Sequence, residues 1–385
     1  MIHYKIYRKT EELPESWNAL AVKDVFLKTE FLKGLELSIP ANLSAYYVGV
    51  FKNKTLVGMA IVQRVQMYAD DIFRKTSNHP LQQIGKQLVS KIVKGNALVV
   101  GNLMHTGQHG IYFNVDMISQ VDYLNQLEQA LEELKTEIKT NFKKNIRVIV
   151  FKDYFEEDAF HKNRVFFKSN NLFKIQLQPN MVFDIPDTWN TSKDYISAFN
   201  KKYLRRYKTA RKKSMALDYR SLDADYLKAN SKAIFKLYET VSDHAGVNSF
   251  KLQENHFYQL KWHLKDNFKV FGVFLKDELV GFYTLILNHD VLETYFLGYN
   301  KDIQHQYQMY LNMLFNMASF GVDKGFKKIV YARTAMEIKS SIGAKPNKMS
   351  IYINHTNNVI ANTVLKGIVK YMNPIQEWEE RHPFN

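Results

Sequence analysis

The sequence has no cysteine in its 385 residues, which excludes disulfides, thiolate metal sites and a cysteine nucleophile together. Apolar runs of membrane-spanning length are also missing. The opening MIHYKIYRKTEELPESW carries no unbroken apolar core of the kind a secretory leader needs. A cytoplasmic protein without a transmembrane segment is therefore the expectation. Histidine occurs 12 times, but no pair has the helical spacing and neighbouring acid of a metal-ligating motif, so no metal is expected. No low-complexity segment interrupts the chain.

Aromatic and basic residues, by contrast, are abundant. With 26 Phe, 23 Tyr and 46% hydrophobic residues, each half has material for a core of its own. The length exceeds what one core usually supports, so two domains are the default. A formal charge of +15 implies an anionic partner: a carrier such as coenzyme A or an acidic carrier protein, nucleic acid, a nucleotide sugar or a membrane surface. Between Lys201 and Lys213 there are eight basic side chains and no acid. Tyr203, Tyr207, Ala210, Ser214 and Leu217 fall on one face of a helix there, which anchors it and points Lys202, Arg205, Arg206, Lys208, Arg211 and Lys212 outward. A merely solvated face is the competing reading.

Organisation is legible in an internal repeat. GVFKNKTLVG at Gly49–Gly58 returns as GVFLKDELVG at Gly272–Gly281. In each copy, residues suited to a pleated surface flank a polar turn, which is the pattern of a β-hairpin. The spacing is too long for a solenoid and suits tandem modules. Around these hairpins Leu124, Leu127, Leu131, Leu134, Ile138 and Phe142 predict a long amphipathic helix with Asp122 as its cap. Ile146–Phe151, Met181–Ile185, Leu292–Leu297 and Lys327–Ala332 read as strands. Helices are predicted over Pro80–Val93, Tyr226–His244, Tyr307–Phe320 and Val359–Tyr371, with Met309, Met313 and Met317 as packing residues. The boundary is expected near Lys168, giving modules 1–168 and 169–385.

Several blocks taken in order resemble the Fem-type (FemA, FemB, FemX) aminoacyltransferases, built from two acyltransferase modules of the GNAT kind. They are the strand Met181–Ile185, the basic run Lys208–Met215, the stretch Leu237–Thr240 through Ala245–Val247 to Tyr258, the hairpin ending Leu279-Val280-Gly281, and Gly298-Tyr299. Ser214 stands where that family usually has Gly. No heptad run interrupts residues 218–270, so the resemblance is to an armless member. It implies an α/β fold of two tandem GNAT-like modules, each a mixed, mostly antiparallel sheet flanked by helices, with the active site in the C-terminal one. The loop Asn300–Gln306 lacks the glycines with which GNAT enzymes usually cradle the coenzyme A pyrophosphate.

The reaction this resemblance implies is transfer of an activated acyl group to a primary amine, in cell-envelope or aminolipid synthesis, with peripheral contact at the inner membrane face left open. The acyl donor (acyl-CoA, acyl carrier protein or aminoacyl-tRNA) would be a co-substrate, with no tightly bound cofactor. Direct attack by an amine needs no nucleophile motif, and none is present. The basic-helix cations are candidates for the carrier's phosphates. Arg333, Glu337 and Lys339 lie just past a central strand, where α/β sites gather, and Glu337 is the candidate proton acceptor. His244, next to Asp243, and Tyr295 are further catalytic candidates; Tyr299 and His305 are binding candidates. A surface Glu–Lys pair and packed histidines are the plain structural alternatives. The competing function is a non-catalytic protein of the same fold that holds RNA or a nucleotide sugar.

Overall fold

The computed structural model describes the chain except for residues 22–23, 68–94, 244–249, 357–358, 373–376 and 385, and the side chains of 368–372. The helix expected over Pro80–Val93 and the turn 245–247 lie outside the described residues. The chain divides into two compact units. The first comprises Met1–Gln178, Ala245–Leu252 and Lys348–Gln376; the second comprises Pro179–His244, Gln253–Asn347 and Glu377–Asn385. The sequence reading set one boundary near Lys168, whereas the compact units divide at Gln178/Pro179 and a late segment groups with the first.

Thirteen strands are described: β1 (Ile2–Tyr7), β2 (Leu43–Lys52), β3 (Thr55–Met67), β4 (Gly95–Val100), β5 (Ile111–Phe113), β6 (Ile146–Phe155), β7 (Phe173–Asp184), β8 (Leu217–Ser221), β9 (Phe268–Leu275), β10 (Glu278–Asn288), β11 (Val291–Tyr299), β12 (Lys328–Val330) and β13 (Lys345–His355). In the first unit the order is β1-β2-β3-β4-β6-β13, with β5 on β3. All its neighbours are antiparallel except β4 and β6, which are parallel.

The helix Gln120–Phe142 covers this sheet with Leu124, Leu127, Leu131, Leu134 and Ile138, all buried, while Phe142 ends exposed. Its cap is Ser119, not Asp122. The Ser119 hydroxyl oxygen accepts from Asp122 N at 3.1 Å and donates to the Asp122 carboxylate at 2.7 Å. Asp122 thus sits in the first turn, where a carboxylate is also favoured.

The second unit repeats the pattern. Its order is β8-β9-β10-β11-β12-β7, antiparallel throughout except for the parallel pair β11 and β12. The two hairpins occupy the same place in their sheets, and their registers agree residue by residue. Val50 faces Gly58 and Phe51 faces Leu56, leaving Val57 as a bulge. Val273 faces Gly281 and Phe274 faces Leu279, leaving Val280 as a bulge. Both extra residues accentuate the local twist at the turn end of the hairpin.

The helix expected over Tyr226–His244 is two helices, Ala224–Ala229 and Ser231–Ser242. They part at Asn230, whose Nδ2 donates to Tyr226 O at 3.0 Å, an example of a side-chain amide competing with the helical ladder. A second break, at Gln308 with φ 47°, divides Lys301–Tyr307 from Met309–Asp323. Met309, Met313 and Met317 are buried in the core of this unit.

Candidate active site

The two parallel strand pairs differ in one respect. In the first unit β4 is paired with β6 from Asn96 to its last residue, Val100, which faces Phe151. In the second, β11 is paired with β12 only at Val291, Leu292 and Glu293, and then runs on to Tyr299. The chain after β12 turns instead toward β7: Tyr331 N donates to Met181 O at 2.8 Å and Met181 N to Ala332 O at 3.1 Å. The second sheet therefore parts beyond Glu293, at the carboxyl ends of its parallel strands, where open α/β sheets bind ligands.

Glu293 sits at the vertex of this parting, 2% exposed. Sequence reasoning passed over it; the available signal was one acid inside the apolar run Val291–Tyr299. Farther along β11, the Tyr295 hydroxyl lies 3.1 Å from His256 Nε2, with the rings stacked at 5.8 Å. Burial raises the Tyr295 phenol well above its ordinary pKa, so it keeps its proton and can serve as a hydrogen-bond donor. The Thr284 hydroxyl takes the place of a ladder partner, donating to Phe296 O at 2.7 Å and accepting from Phe296 N at 3.0 Å. The helix Ser231–Ser242 lies tightly on the end of β11, where Thr240 donates to Tyr299 O at 2.7 Å. A Cβ on Gly298 would come within 2.4 Å of the Leu237 carbonyl carbon.

The basic helix spans Lys201–Lys213. Asn200 caps it, and Tyr203 and Ala210 are buried beneath it. Lys202, Arg205, Arg206, Lys208 and Lys212 are exposed. Arg211 behaves differently, because its Nη1 donates to Asn316 Oδ1 at 2.7 Å and Asn312 Oδ1 at 3.2 Å. Its guanidinium also lies over Tyr207 and Phe315.

After β12 the backbone turns left-handed at Ala332 and Ala335, with φ 61° and 54°. Lys339 does not face solvent: it is 4% exposed, and its ammonium group donates to Tyr331 O and Ala332 O. Desolvation lowers its pKa to about 7. Glu337 is half exposed, 3.6 Å from Arg381, and accepts from Glu379 N at 3.3 Å. The C-terminal tail also meets the cap of the basic helix, where Asn200 Nδ2 donates to His382 O at 3.2 Å and Asn200 N to Pro383 O at 2.9 Å. Arg333 is half-buried and His305 lies exposed on Lys301–Tyr307. Tyr299, whose phenol burial raises, ends β11. His244 lies outside the described residues. No helix among the described residues is long and apolar enough to cross a membrane.

This is the fold of tandem GNAT proteins: two modules, each a mixed, mostly antiparallel sheet flanked by helices. The crystal structure of FemX matches with a TM-score of 0.55 at 10% identity, over 94% of this chain and all of FemX. A tandem GNAT protein from the clavulanic acid biosynthesis pathway, solved without acetyl-CoA, matches with a TM-score of 0.50 at 6% identity, over 92% of this chain and 98% of its own. No family model and no curated protein matches the sequence. The likeness lies in the fold, and the Fem-like architecture read from the ordered sequence blocks is the architecture found.

Proposed function

We propose that this chain is an N-acyl or aminoacyl transferase, moving an activated acyl group from a phosphate-bearing carrier to a primary amine. The observation that carries this reading is the parting of β11 from β12 beyond Glu293, set against the closed β4/β6 pair of the first unit. Backbone groups along a parted strand are suited to receive an extended acyl carrier, and the exposed cations of Lys201–Lys213 to receive its phosphates. Arg333, Tyr299 and His305 supply further polar contacts.

In this scheme the amine nitrogen attacks the acyl carbon, the bond from that carbon to the carrier breaks, and the carrier leaves with the electron pair. Glu337 accepts the proton the amine loses and returns it to the leaving group. Tyr295, oriented by His256, donates to the oxyanion. Lys339, buried against two carbonyls, holds the strand-end loop rather than a phosphate.

The test is turnover of Glu337→Gln and Glu293→Gln. A fall of about 100-fold for Glu337→Gln with substrate affinity little changed supports the assignment. The same fall in Glu293→Gln alone moves the proton acceptor to the vertex of the parting. Full activity in both variants contradicts carboxylate base catalysis.

A further inference from the structure

One end of the first unit's sheet gathers exposed aliphatic and basic side chains. β6 starts there at Ile146 and β13 ends there at His355, which faces Val148. Thr356 fastens the next segment to the same place: its N donates to Arg147 O at 2.8 Å and its hydroxyl to Ile146 O at 2.5 Å. The helix Val359–Met372 follows. Asn362 ties its first turn back, with Oδ1 accepting from His355 N at 2.9 Å and Nδ2 donating to Asn171 O at 2.9 Å. Lys168 belongs to that same turn, where its O accepts from Asn171 N at 3.2 Å. The end of Gln120–Phe142, the start of β6, the turn at Asn171 and the first turns of Val359–Met372 are thereby neighbours.

The last of these helices is inside out for a solvated one. Leu365 points inward, 1% exposed, while Val359, Ile360 and Val364 stand 73%, 71% and 43% exposed on the outward arc. Aliphatic side chains grouped on one outward face mark an interaction surface. Phe142, 52% exposed, ends the neighbouring helix. Around them Lys139, Lys143, Lys144, Arg147, Lys168 and Lys366 are exposed. The segments that carry these cations contain no acid from 138 to 152, from 159 to 183 or from 338 to 376. Glu137, the last acid before Phe142, is paired with Arg8. A helix C-terminus accounts for Lys139 and Lys143. It does not account for Arg147, Lys168 and Lys366 on other segments, or for the aliphatic row.

We infer that this end of the first unit docks on an anionic lipid bilayer, with Val359, Ile360 and Val364 entering the interface and the cations meeting headgroup phosphates. A helix that lies in the plane of a membrane surface pairs an apolar face with basic residues in this way, and each cation near the surface adds attraction to acidic lipid. Nucleic acid fits less well, because Val and Ile offer no ring to stack on a base. A second copy of the chain also fits less well, because a two-fold contact would set this cationic patch against itself. The inference does not rest on the transferase reading and uses none of its residues.

The experiment measures co-sedimentation of the full-length protein with vesicles of phosphatidylcholine, alone or with about one third phosphatidylglycerol. The wild type should partition onto the acidic vesicles only, and added salt should release it. Val359→Ser, Ile360→Ser and Val364→Ser combined should lower partitioning at least about 10-fold. Lys143→Gln, Lys144→Gln and Arg147→Gln combined should lower it about 100-fold. Lys228→Gln, Lys232→Gln and Lys236→Gln, an equal loss of charge in the second unit, should leave it within about twofold of the wild type. Because the chain has no cysteine, Val359→Cys can carry a polarity-sensitive fluorophore, whose emission should shift to the blue on acidic vesicles. No partitioning by the wild type, wild-type partitioning in either first-unit variant, an equal loss in the second-unit variant, or an unshifted label on bound protein overturns the proposal. RNA binding that the first-unit cation variant loses and the serine variant keeps, without vesicle binding, would give the surface to nucleic acid and overturn it too.

Discussion

Arg211 and Asn312 are bonded side chain to side chain, Nη1 to Oδ1 at 3.2 Å, and the fully buried Asn312 returns its amide to Ala210 O at 3.0 Å. The pair clamps the basic helix to Met309–Asp323 from both ends of the Asn312 side chain. One of the six cations grouped together from sequence is therefore part of the fastening, while five face out.

That division predicts two different phenotypes. Arg211→Gln should lower unfolding free energy by about 1–3 kcal/mol, from the lost charged hydrogen bonds. The triple variant Arg205→Gln, Lys208→Gln, Lys212→Gln should leave stability within about 0.5 kcal/mol and weaken binding of a phosphate-bearing carrier with a flatter salt dependence. Denaturant titration and binding at two salt concentrations check both.

Glycines at the start of β10 and near the end of β11 should differ in their tolerance of a methyl group. At Gly281 a Cβ meets Met309 Sδ at 2.7 Å and Met313 Cε at 2.8 Å, the flexible ends of side chains, and one backbone atom, Gly298 O, only at 3.2 Å. At Gly298 it meets backbone atoms of Leu237 and Tyr238 at 2.4 to 2.6 Å, which cannot move without shifting a helix. Gly281→Ala should cost about 1 kcal/mol and Gly298→Ala about 3 kcal/mol or more. Thermal unfolding of the two variants gives the comparison.

Lys339 should leave a pH signature on stability. Its folded pKa, near 7 because of desolvation, lies below the unfolded value of about 10.4. Between those values the unfolded chain binds more protons, so stability rises with pH across that window. Lys339→Met removes this term. From pH 7 to 9 the wild type should gain up to about 2–3 kcal/mol relative to the variant, read from urea midpoints at the two pH values.

Much of the architecture was legible because it rests on local pattern. The two decapeptides specify hairpins that agree down to the bulges at Val57 and Val280, and the apolar face of Lys201–Lys213 predicts its burial. What sequence could not show depends on contacts distant along the chain. The first unit takes β13 as the neighbour of β6, and nothing local in Lys345–His355 names that partner. Lys339 reads as a loop cation until two carbonyls enclose it. Glu293 reads as one acid in a strand until β12 ends beside it. The Asp24–His109 contact joins residues 85 positions apart.

Acyl transfer to an amine can be read directly. The most direct measurement is mass-spectrometric detection of acylated product when the purified protein meets a primary amine with acyl-CoA, acyl carrier protein or aminoacyl-tRNA, each run beside Glu337→Gln. Catalytic turnover is expected with one donor class, lost on adding salt and reduced about 100-fold in the variant. Tight binding of RNA or a nucleotide sugar with no transfer from any of the three donors would contradict it, and would make this fold a binding module.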